Sequence, residues 1–354
     1  MIPKRKKILF LYFELAGYFL ACVNRLIELY DVDVHIVRYP VNAVAPFNFK
    51  SNERIRFYEY HELTTTALIE LVKELNPDLL YISGWSNKKY IAAAKSVRKK
   101  IPVLLTFDNP WLGTWKQYLA SLIGPFYLST IFTHCWVPGE PNARYARKLG
   151  FRGSKLLQGM YSADYTHFHN YYHQFKERKQ QHFPKRFIYV GRYVELKGIR
   201  ELWEAFIRLQ EESPTDWELW CLGKGDLDPQ FPTHEKIKNF GFVQPDELSK
   251  FIEQTGVFIL PAYYEHWGVV VHEFAAAGFP LLCTSTTSAA TTFLKDNYNG
   301  YLLKPKSTES ILSALRKIIA LSDGELLEMA TNSATLSSQV TPDTWSQTLM
   351  SLVN

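Results

Sequence analysis

Short apolar runs alternate with amphipathic stretches along most of this chain, and this alternation is the feature that most restricts its fold. In the first half, five apolar runs have the length of buried strands: residues 8–13, 34–38, 79–82, 103–107 and 135–137. Stretches with helical periodicity separate them: residues 18–29, 62–75, 88–97 and 140–149. Strands that alternate with helices in this way form doubly wound, mainly parallel sheets.

The alternation is interrupted once, which predicts two domains. Residues 164–184 are rich in His, Tyr, Gln and Lys without a clear period, so we predict an interdomain linker there. Further strands are then predicted at residues 187–190, 217–222, 257–260, 281–284 and 301–304, and helices at residues 309–321, 324–330 and 342–353. A chain of 354 residues is long enough for two such domains, which we place at residues 1–168 and 185–339. Ligands of this α/β architecture bind at the carboxyl ends of the strands, so we expect a deep cleft between the two sheets.

Composition excludes several classes of protein. Hydrophobic residues make up 47% and charged residues 21% of the chain, as in an ordinary globular protein. The four cysteines have neither CxxC nor Cys/His metal spacing, which predicts buried free thiols in a reducing compartment. No apolar run reaches the roughly 20 residues of a membrane span, and the first run is too short for a secretory signal. We therefore expect a cytoplasmic protein, and the absence of a basic stripe with a recognisable motif argues against nucleic-acid binding.

The net charge of +5 is unevenly distributed. Lysines and arginines cluster at residues 4–7, 88–100 and 144–155, all in the first half. Such runs are usually solvated faces, but they could also hold the protein against anionic lipid at the inner face of a membrane, at about 1 kcal/mol per contacting residue. The aromatic segment 115–132, WKQYLASLIGPFYLSTIF, is either a core or acceptor-groove helix or a surface that dips into the membrane.

Two glutamates surround a predicted turn in residues 261–278, PAYYEHWGVVVHEFAAAG. An apolar strand precedes this segment and good helix formers follow Gly268, which therefore lies at a strand–loop–helix junction. Free backbone amides and the helix dipole make such a junction an anion site. We place Glu265 in the loop and Glu273 about one turn inside the helix, where they can meet different parts of a ligand. The alternative for a bare pair of glutamates is two ordinary surface carboxylates.

A second block, GRYVELKG at residues 191–198, also follows a predicted strand and precedes an amphipathic helix. Gly191 permits a tight turn at the strand end, and Arg192 and Lys197 flank the loop. A forked guanidinium, an ammonium and unpaired amides are the groups that bind a pyrophosphate. Taken alone, the same residues also fit a solvated basic loop.

The two blocks lie about 75 residues apart with the basic block first, and together they resemble the signature of the retaining GT-B glycosyltransferases of family 4, the glycosyl transferases group 1. The resemblance implies a GT-B fold of two Rossmann-like domains, with a last helix at about residues 340–354 that packs back on the first. It implies that Glu273 binds the ribose hydroxyls of a nucleotide sugar and that Glu265 lies by the transferred sugar. Arg192 and Lys197 would clamp the diphosphate. The loop amides would hold sugar and diphosphate; they belong to Trp267, Gly268, Val269 and Val270.

A third, weaker match follows the next predicted strand. The sequence LWCLGKGDL ends a strand with Gly223 and Gly225, at the place where the family has a Gly-x-Gly strand end. By resemblance, these glycines border the nucleotide pocket and the backbone near Val243 faces the base. Asp226 and Asp228 spell the DxD of metal-dependent transferases, but they lie away from the proposed phosphate site, so we interpret this spacing as coincidence.

The first half departs from the family pattern in several places. Where the family often has a Gly-rich loop that touches donor phosphates, this chain has FELAGYF with the single Gly17, which by resemblance would make that donor contact. Where many members have a histidine facing the transferred sugar, this chain has Asp108, which is either a sugar contact or a structural turn residue. Segments 158–164 and 284–290 also differ from the family's turns. These departures leave the identities of donor and acceptor open.

The interpretation that follows is a glycosyltransferase that uses a nucleotide-diphosphate sugar, by default a UDP-sugar, with retention of configuration and without metal or other cofactor. Arg192, Lys197 and the helix amides would stabilise the leaving diphosphate electrostatically. The family's usual proposal is a front-face attack in which the leaving phosphate takes the acceptor proton. The acceptor would be a glycan or a lipid-linked saccharide, as in the assembly of surface polysaccharides.

Two alternatives remain at this stage. Another enzyme on the same fold, such as an inverting transferase, a phosphorylase or a sugar epimerase, is disfavoured because no inverting base is seen near Gly17 and because the two-glutamate block is specific. A catalytically silent GT-B module that binds a glycan or a partner transferase would explain the missing histidine. Nucleotide binding with donor hydrolysis distinguishes the enzyme from the silent module.

Overall fold

The computed structural model describes residues 5–40 and 52–353. The chain divides into two compact units, Met1–Asp164 with Val340–Asn354, and Tyr165–Gln339. Each unit is built on one parallel sheet with helices on its faces. No helix within the described ranges combines the length and the apolar composition that crossing a bilayer requires.

The first unit contains a seven-stranded parallel sheet with the order β3-β2-β1-β4-β5-β6-β7. Its strands are Lys7–Leu11 (β1), Asp33–Arg38 (β2), Ile55–Glu59 (β3), Leu79–Ser83 (β4), Val103–Thr106 (β5), His134–Val137 (β6) and Leu156–Gln158 (β7). Its helices, in chain order, are Gly17–Tyr30 (α1), Thr65–Leu75 (α2), Lys88–Val97 (α3), Trp115–Tyr127 (α4) and Glu140–Lys148 (α5). Strand β1 is buried on both faces, because Ile8 and Phe10 belong to one apolar cluster whereas Leu9 and Leu11 belong to another.

The second unit contains a six-stranded parallel sheet with the order β10-β9-β8-β11-β12-β13. Its strands are Arg186–Val190 (β8), Glu218–Leu222 (β9), Ile237–Asn239 (β10), Val257–Leu260 (β11), Leu281–Thr284 (β12) and Gly300–Leu303 (β13). Its helices are Tyr165–Gln181 (α6), Ile199–Glu212 (α7), Ser249–Gln254 (α8), Val269–Ala276 (α9), Ala290–Phe293 (α10), Thr308–Ile319 (α11) and Asp323–Ser337 (α12). All of the strands predicted from the sequence are present in the two sheets.

The predicted linker at residues 164–184 is wrong, because most of it forms helix α6. Three buried side chains, Phe168, Phe175 and Lys179, lie on one face of this helix. The helix packs closely on the second unit, since a Cβ atom on Gly278 would lie 2.2 Å from Cδ2 of Tyr172. The His, Tyr, Gln and Lys residues of its outer face conceal the helical period in the sequence.

The apolar segment 115–132 divides into two parts. Leu128, Ile131 and Phe132 are buried in the core of the first unit. Within α4 itself, however, Gly124 alone is buried. The interpretation of this segment as a core helix is therefore wrong for α4 and correct for the residues after it.

The C-terminal helix Pro342–Met350 (α13) belongs to the first unit. Its Trp345 is buried, and the indole Nε1–H donates a hydrogen bond to the Met160 carbonyl at 2.9 Å. The indole ring packs against Trp136 of β6 and Phe10 of β1, with ring centroids 5.3 and 6.4 Å apart. The first unit is therefore assembled from both ends of the chain.

Candidate active site

The carboxyl edge of the second sheet carries most of the predicted site residues. Strands β8, β9 and β11 all end at this edge, because neighbouring strands of a parallel sheet run in the same direction. Gly191 and Arg192 follow β8, and Gly223 and Gly225 follow β9. Glu265, Trp267 and Gly268 lie in the loop after β11.

Lys197 and Glu265 come together at this edge. The Lys197 ammonium forms an ion pair with the Glu265 carboxylate, and each side chain keeps 18% of its surface exposed. The backbone joins the same two loops, since the Tyr263 N–H donates to the Leu196 carbonyl at 2.9 Å. Gly198 allows this approach, because a Cβ atom there would lie 2.1 Å from the Pro261 oxygen, and its φ of 65° is in the left-handed region.

The segment after β12 holds the Glu265 loop in place. The Glu265 N–H donates to the Thr286 carbonyl at 3.2 Å, and the Glu265 carbonyl accepts from Ser288 N–H at 3.2 Å. The Trp267 carbonyl accepts from Ala289 N–H at 2.9 Å. In the sequence this segment, 284–290, was notable only as a departure from the family pattern. Its role was missed because backbone hydrogen bonds have no residue signature.

Gly268 and Glu273 lie where the sequence predicted. Gly268 caps helix α9 with a φ of 87°, and a Cβ atom on it would lie 3.0 Å from Cγ of Glu265. Since glycine has no capping side chain, no described side chain accepts from the first amides of α9, at Val269 and Val270. Glu273 follows one turn later and is half-buried. The loop and helix start thus place free N–H groups beside a carboxylate that is already paired with a lysine.

Two aromatic residues of this block are structural. The Trp267 side chain is buried, with its ring centroid 6.1 Å from that of Phe293. A ligand at this edge could therefore contact the backbone of Trp267 but not its indole. His272 is buried, stacks on Phe293 at 4.0 Å, and its Nε2 lies 2.9 Å from the Ser337 carbonyl. Burial lowers the pKa of His272 to about 4, so its imidazole is neutral at neutral pH.

Glycines also form the contact between the loops after β8 and β9. A Cβ atom on Gly223 would lie 1.9 Å from the Gly191 oxygen, and one on Gly225 would lie 2.4 Å from the Tyr193 oxygen. The Gly223 N–H donates to the Gly241 carbonyl at 2.7 Å, next to the loop that holds the half-buried Val243. These approaches require the absence of side chains, so the glycines shape the edge.

Arg192 is an exposed cation at the end of β8. Its guanidinium makes no hydrogen bond or ion pair with any residue of 5–40 or 52–353, while its carbonyl accepts a hydrogen bond from the Tyr189 hydroxyl at 2.9 Å. The backbone is thus fixed and the charged group is available to an anion.

The DxD spacing has a local structural role. The Asp228 carboxylate accepts a hydrogen bond from Gly225 N–H at 3.2 Å and so caps the turn after β9, whereas Asp226 is exposed. Among the described residues, no group of three or more His, Cys, Asp or Glu side chains is placed to hold a metal ion.

In the first unit, Asp108 lines a cavity of about 430 Å³ at the carboxyl ends of β1, β4 and β5. The Asp108 carboxylate accepts a hydrogen bond from the Tyr161 hydroxyl at 3.4 Å, and its carbonyl accepts from the Asn142 amide. Gly17 is the first residue of α1, and apart from its chain neighbours and the helix backbone no described atom lies within 4 Å of a Cβ placed on it. The structure therefore gives no reason for a glycine there, and the neighbouring Ala16 and Tyr18 line the cavity instead.

The cavity of the first unit is suited to hydroxyl groups. Burial is the main cause that raises the pKa of Tyr12, Tyr81 and Tyr161, and the Asp108 carboxylate adds to it. These phenols therefore remain protonated at neutral pH. The lining also includes the carboxylate of Glu14, and no lysine or arginine is among the described residues that form it. Phenols, carboxylates and aromatic faces bind neutral polyhydroxyl compounds, and the absence of a cation disfavours phosphate.

Comparison with known proteins identifies relatives of this chain. Residues 173–336 match the family model described as glycosyl transferases group 1. A putative teichuronic acid biosynthesis glycosyltransferase, TuaC, of Bacillus subtilis is 24% identical over 286 residues, which cover 79% of this chain and 72% of the relative. An uncharacterized glycosyltransferase of Methanocaldococcus jannaschii is 30% identical over 157 residues. The chain spans 39% of the length of that second relative.

Solved structures match this chain over nearly its whole length. Anabaena Alr3699/HepE, solved in complex with UDP and glucose, matches with a TM-score of 0.71 at 14% identity, covering 98% of this chain and 99% of that one. Sucrose-phosphate synthase from Thermosynechococcus elongatus matches with a TM-score of 0.70 at 15% identity, covering 98% of each chain. These likenesses confirm the predicted GT-B fold of two Rossmann-like domains.

Proposed function

Because residues 173–336 of this chain match the family model of the glycosyl transferases group 1, we propose that the protein transfers a sugar from a nucleotide-diphosphate sugar to a glycan or lipid-linked acceptor. The observation that carries this proposal is the paired Lys197 and Glu265 beside the free amides of α9. This arrangement offers cations and N–H groups to a diphosphate and a carboxylate to a sugar. A structural ion pair alone would not require the left-handed glycine that brings the two loops together.

The donor site would divide its ligand among three elements. The exposed Arg192 guanidinium and the amides at the start of α9 would bind the diphosphate. Glu273, one turn inside α9, would accept hydrogen bonds from the ribose hydroxyls. A UDP-sugar is our proposed donor, supported by the UDP and glucose found with Anabaena HepE.

The proposed reaction retains the anomeric configuration and needs no metal ion. As the bond between the sugar and the diphosphate breaks, negative charge develops on the leaving phosphate oxygen, and Arg192, Lys197 and the amides would stabilise it. Glu265 is held by Lys197 and by backbone bonds to the 284–290 segment, which suits a group that positions the sugar rather than one that attacks it. The leaving phosphate would take the proton of the acceptor hydroxyl as the new bond forms on the same face.

The acceptor would present a neutral sugar to the first unit. The 430 Å³ cavity has phenols and two carboxylates for hydroxyl groups, and its described lining offers no cation to a phosphate. Asp108 would hydrogen-bond an acceptor hydroxyl in this cavity. We place the reaction in the cytoplasm, in the assembly of a polysaccharide or a lipid-linked saccharide.

Calorimetric titration of nucleotides tests this function. We expect one nucleoside diphosphate among UDP, GDP and ADP, together with its sugar, to bind selectively. Glu273→Gln should weaken that binding roughly tenfold or more, because a charge-assisted hydrogen bond contributes about 1.5–3 kcal/mol. Glu328→Gln, an exposed glutamate on α12, is the control and should bind as the native protein does.

Sugar release from the bound donor, measured in EDTA, completes the test. Turnover in EDTA supports a metal-independent transferase. Turnover that requires magnesium would contradict only the proposed metal independence and would leave the sugar transfer itself supported. Failure of all three nucleotides to bind would overturn the donor site and favour the silent module. Binding without release of sugar, with or without magnesium, would contradict the proposed catalysis and also favour that module.

A further inference from the structure

Helix α4 has an apolar and aromatic face that no described residue covers. Eight of the fifteen exposed large hydrophobic side chains in the described parts of the chain lie between residues 112 and 127, and they are 44–78% exposed. They are Leu112, Trp115, Tyr118, Leu119, Leu122, Ile123, Phe126 and Tyr127. Single exposed apolar residues are ordinary, but such a concentration on one helix marks an interaction surface.

The geometry of α4 directs these side chains outward. Positions 115, 118, 119, 122, 123 and 126 follow the three- and four-residue spacing of one helical face. The opposite side carries small residues, because a Cβ atom on Gly124 would lie 2.9 Å from the Leu149 side chain. Pro125 similarly contacts Gly150, on which a Cβ atom would lie 2.8 Å from the Pro125 backbone. The helix therefore rests on the unit through its smallest residues and leaves its largest ones exposed.

The start of α4 is also well defined. Thr114 and Gln117 form a capping box, in which the Thr114 side chain accepts from the Gln117 N–H. The Trp111 and Tyr118 rings pack edge to face at 5.0 Å. The exposed face therefore belongs to a stable helix that ends in aromatic residues at both termini.

Positive charge surrounds this helix. Residues 88–155 contain twelve lysines and arginines but two acidic residues, a net charge of +10, whereas the whole chain carries +5. Cations contact both flanks, with Lys95 Nζ 5.3 Å from the Tyr127 ring and Lys148 Nζ 4.5 Å from the Trp111 ring. Residues 109–139 contain no aspartate or glutamate. The apolar face is thus set in a strongly basic surface.

We propose that α4 lies in the interface of an anionic lipid bilayer, with its apolar face among the acyl chains and the flanking cations on the headgroups. A helix of 13 residues is about 20 Å long, too short to span a bilayer but long enough to lie in its interface. A second copy of the chain is a poorer occupant, because self-association would bring together two copies of a segment whose net charge is +10. This surface does not depend on the proposed reaction.

Vesicle co-sedimentation tests the surface with the full chain. The probes are phosphatidylcholine vesicles with and without about 30% phosphatidylglycerol. We expect binding to the anionic vesicles that weakens as salt is added, since exposed charges are screened. The double variant Leu122→Gln and Phe126→Gln should bind more than tenfold less, because each side chain loses its burial among acyl chains. Lys99→Glu with Lys100→Glu should reduce binding about fivefold for each lysine that contacts the headgroups.

Matched controls lie in the second unit. Leu302→Gln and Lys304→Glu change an exposed leucine and an exposed lysine there and should leave vesicle binding unchanged. Circular dichroism melting should be unaltered in every variant, because all of these side chains are exposed. Absence of binding to anionic vesicles, or equal loss in the controls, would overturn the proposal. Sedimentation velocity showing a dimer that the Leu122 and Phe126 variant dissociates, without vesicle binding, would assign the face to a second copy instead.

Discussion

At the scale of single residues, the second unit buries two basic side chains, those of Lys179 and His272. Lys179 is 7% exposed, its ammonium has no hydrogen-bond acceptor in the described ranges, and it lies 3.8 Å from the centre of the Phe279 ring. Burial lowers the pKa of Lys179 to about 7. The other group is His272, neutral on the site helix. Both are core residues of α6 and α9, where helical position rather than residue type decides burial.

Lys179 should make stability depend on pH. Its pKa is about 7 when folded, whereas an unfolded lysine has a pKa of about 10.4. Between pH 7 and pH 10.4 the unfolded chain binds more protons than the folded chain, so this residue makes the free energy of unfolding rise with pH. Below about pH 7 the burial of Lys179 lowers the free energy of unfolding by its full amount. Lys179→Met should therefore stabilise the protein most at about pH 6, and its advantage should shrink by on the order of 1 kcal/mol per unit toward pH 9.

Urea denaturation of the native protein and the Lys179→Met variant measures this advantage across the pH range. Lys176→Met, on the same helix and less buried, is the control and should show no such trend. A difference between the native protein and Lys179→Met that stays constant with pH would contradict the explanation.

At the scale of elements, the site depends on how closely three loops approach at the carboxyl edge of the second sheet. The sequence predicted the positions of Glu265, Gly268 and Glu273 because a strand, a turn and a helix each have a local signature. It did not predict the pairing of Lys197 with Glu265, which joins residues 68 positions apart. Nor did it predict β3, β7 and β10, because all three are edge strands, and two of them have three residues.

Gly198→Ala should separate the loops after β8 and β11. An added methyl group meets the Pro261 oxygen, and alanine is disfavoured at a φ of 65°. We expect a loss of about 1–3 kcal/mol in the free energy of unfolding, together with weaker nucleotide binding as Lys197 moves from Glu265. Gly324→Ala in helix α12 has space for its methyl group and should be neutral or slightly stabilising. Native binding by Gly198→Ala would show that the close approach is dispensable.

At the scale of the whole molecule, the sequence predicted two Rossmann-like domains. Their central strands could be recognised because a strand buried on both faces has a continuous apolar sequence. The boundary between the two units at residues 164 and 165 was harder to predict, because the polar residues on the outer face of α6 resemble a linker. The order of strands in each sheet was not predicted, because residue patterns within a strand do not identify its neighbour.

Trp345→Ala should loosen the first unit. Removing a buried indole leaves a cavity beside Phe10 and Trp136 and an unpaired Met160 carbonyl, at a cost of about 3–5 kcal/mol. Hydrogen exchange should show lost protection in β1 and β6 and unchanged protection in β8. Trp345→Phe keeps ring packing without the hydrogen bond and should cost about 1 kcal/mol. Retained protection of β1 in the alanine variant would contradict this role.

The placement of α13 in the first unit has a consequence for how the chain is made. A ribosome releases the seven strands of that unit before residues 165–339, but Trp345 emerges only after them. Residues 165–339, by contrast, form a continuous segment with its own apolar core and are complete before then. During synthesis the second unit can therefore reach its native state first, while the surface of the first unit around Phe10 and Trp136 stays uncovered until α13 has been made. A nascent chain stalled before residue 340 would expose this surface to chaperones.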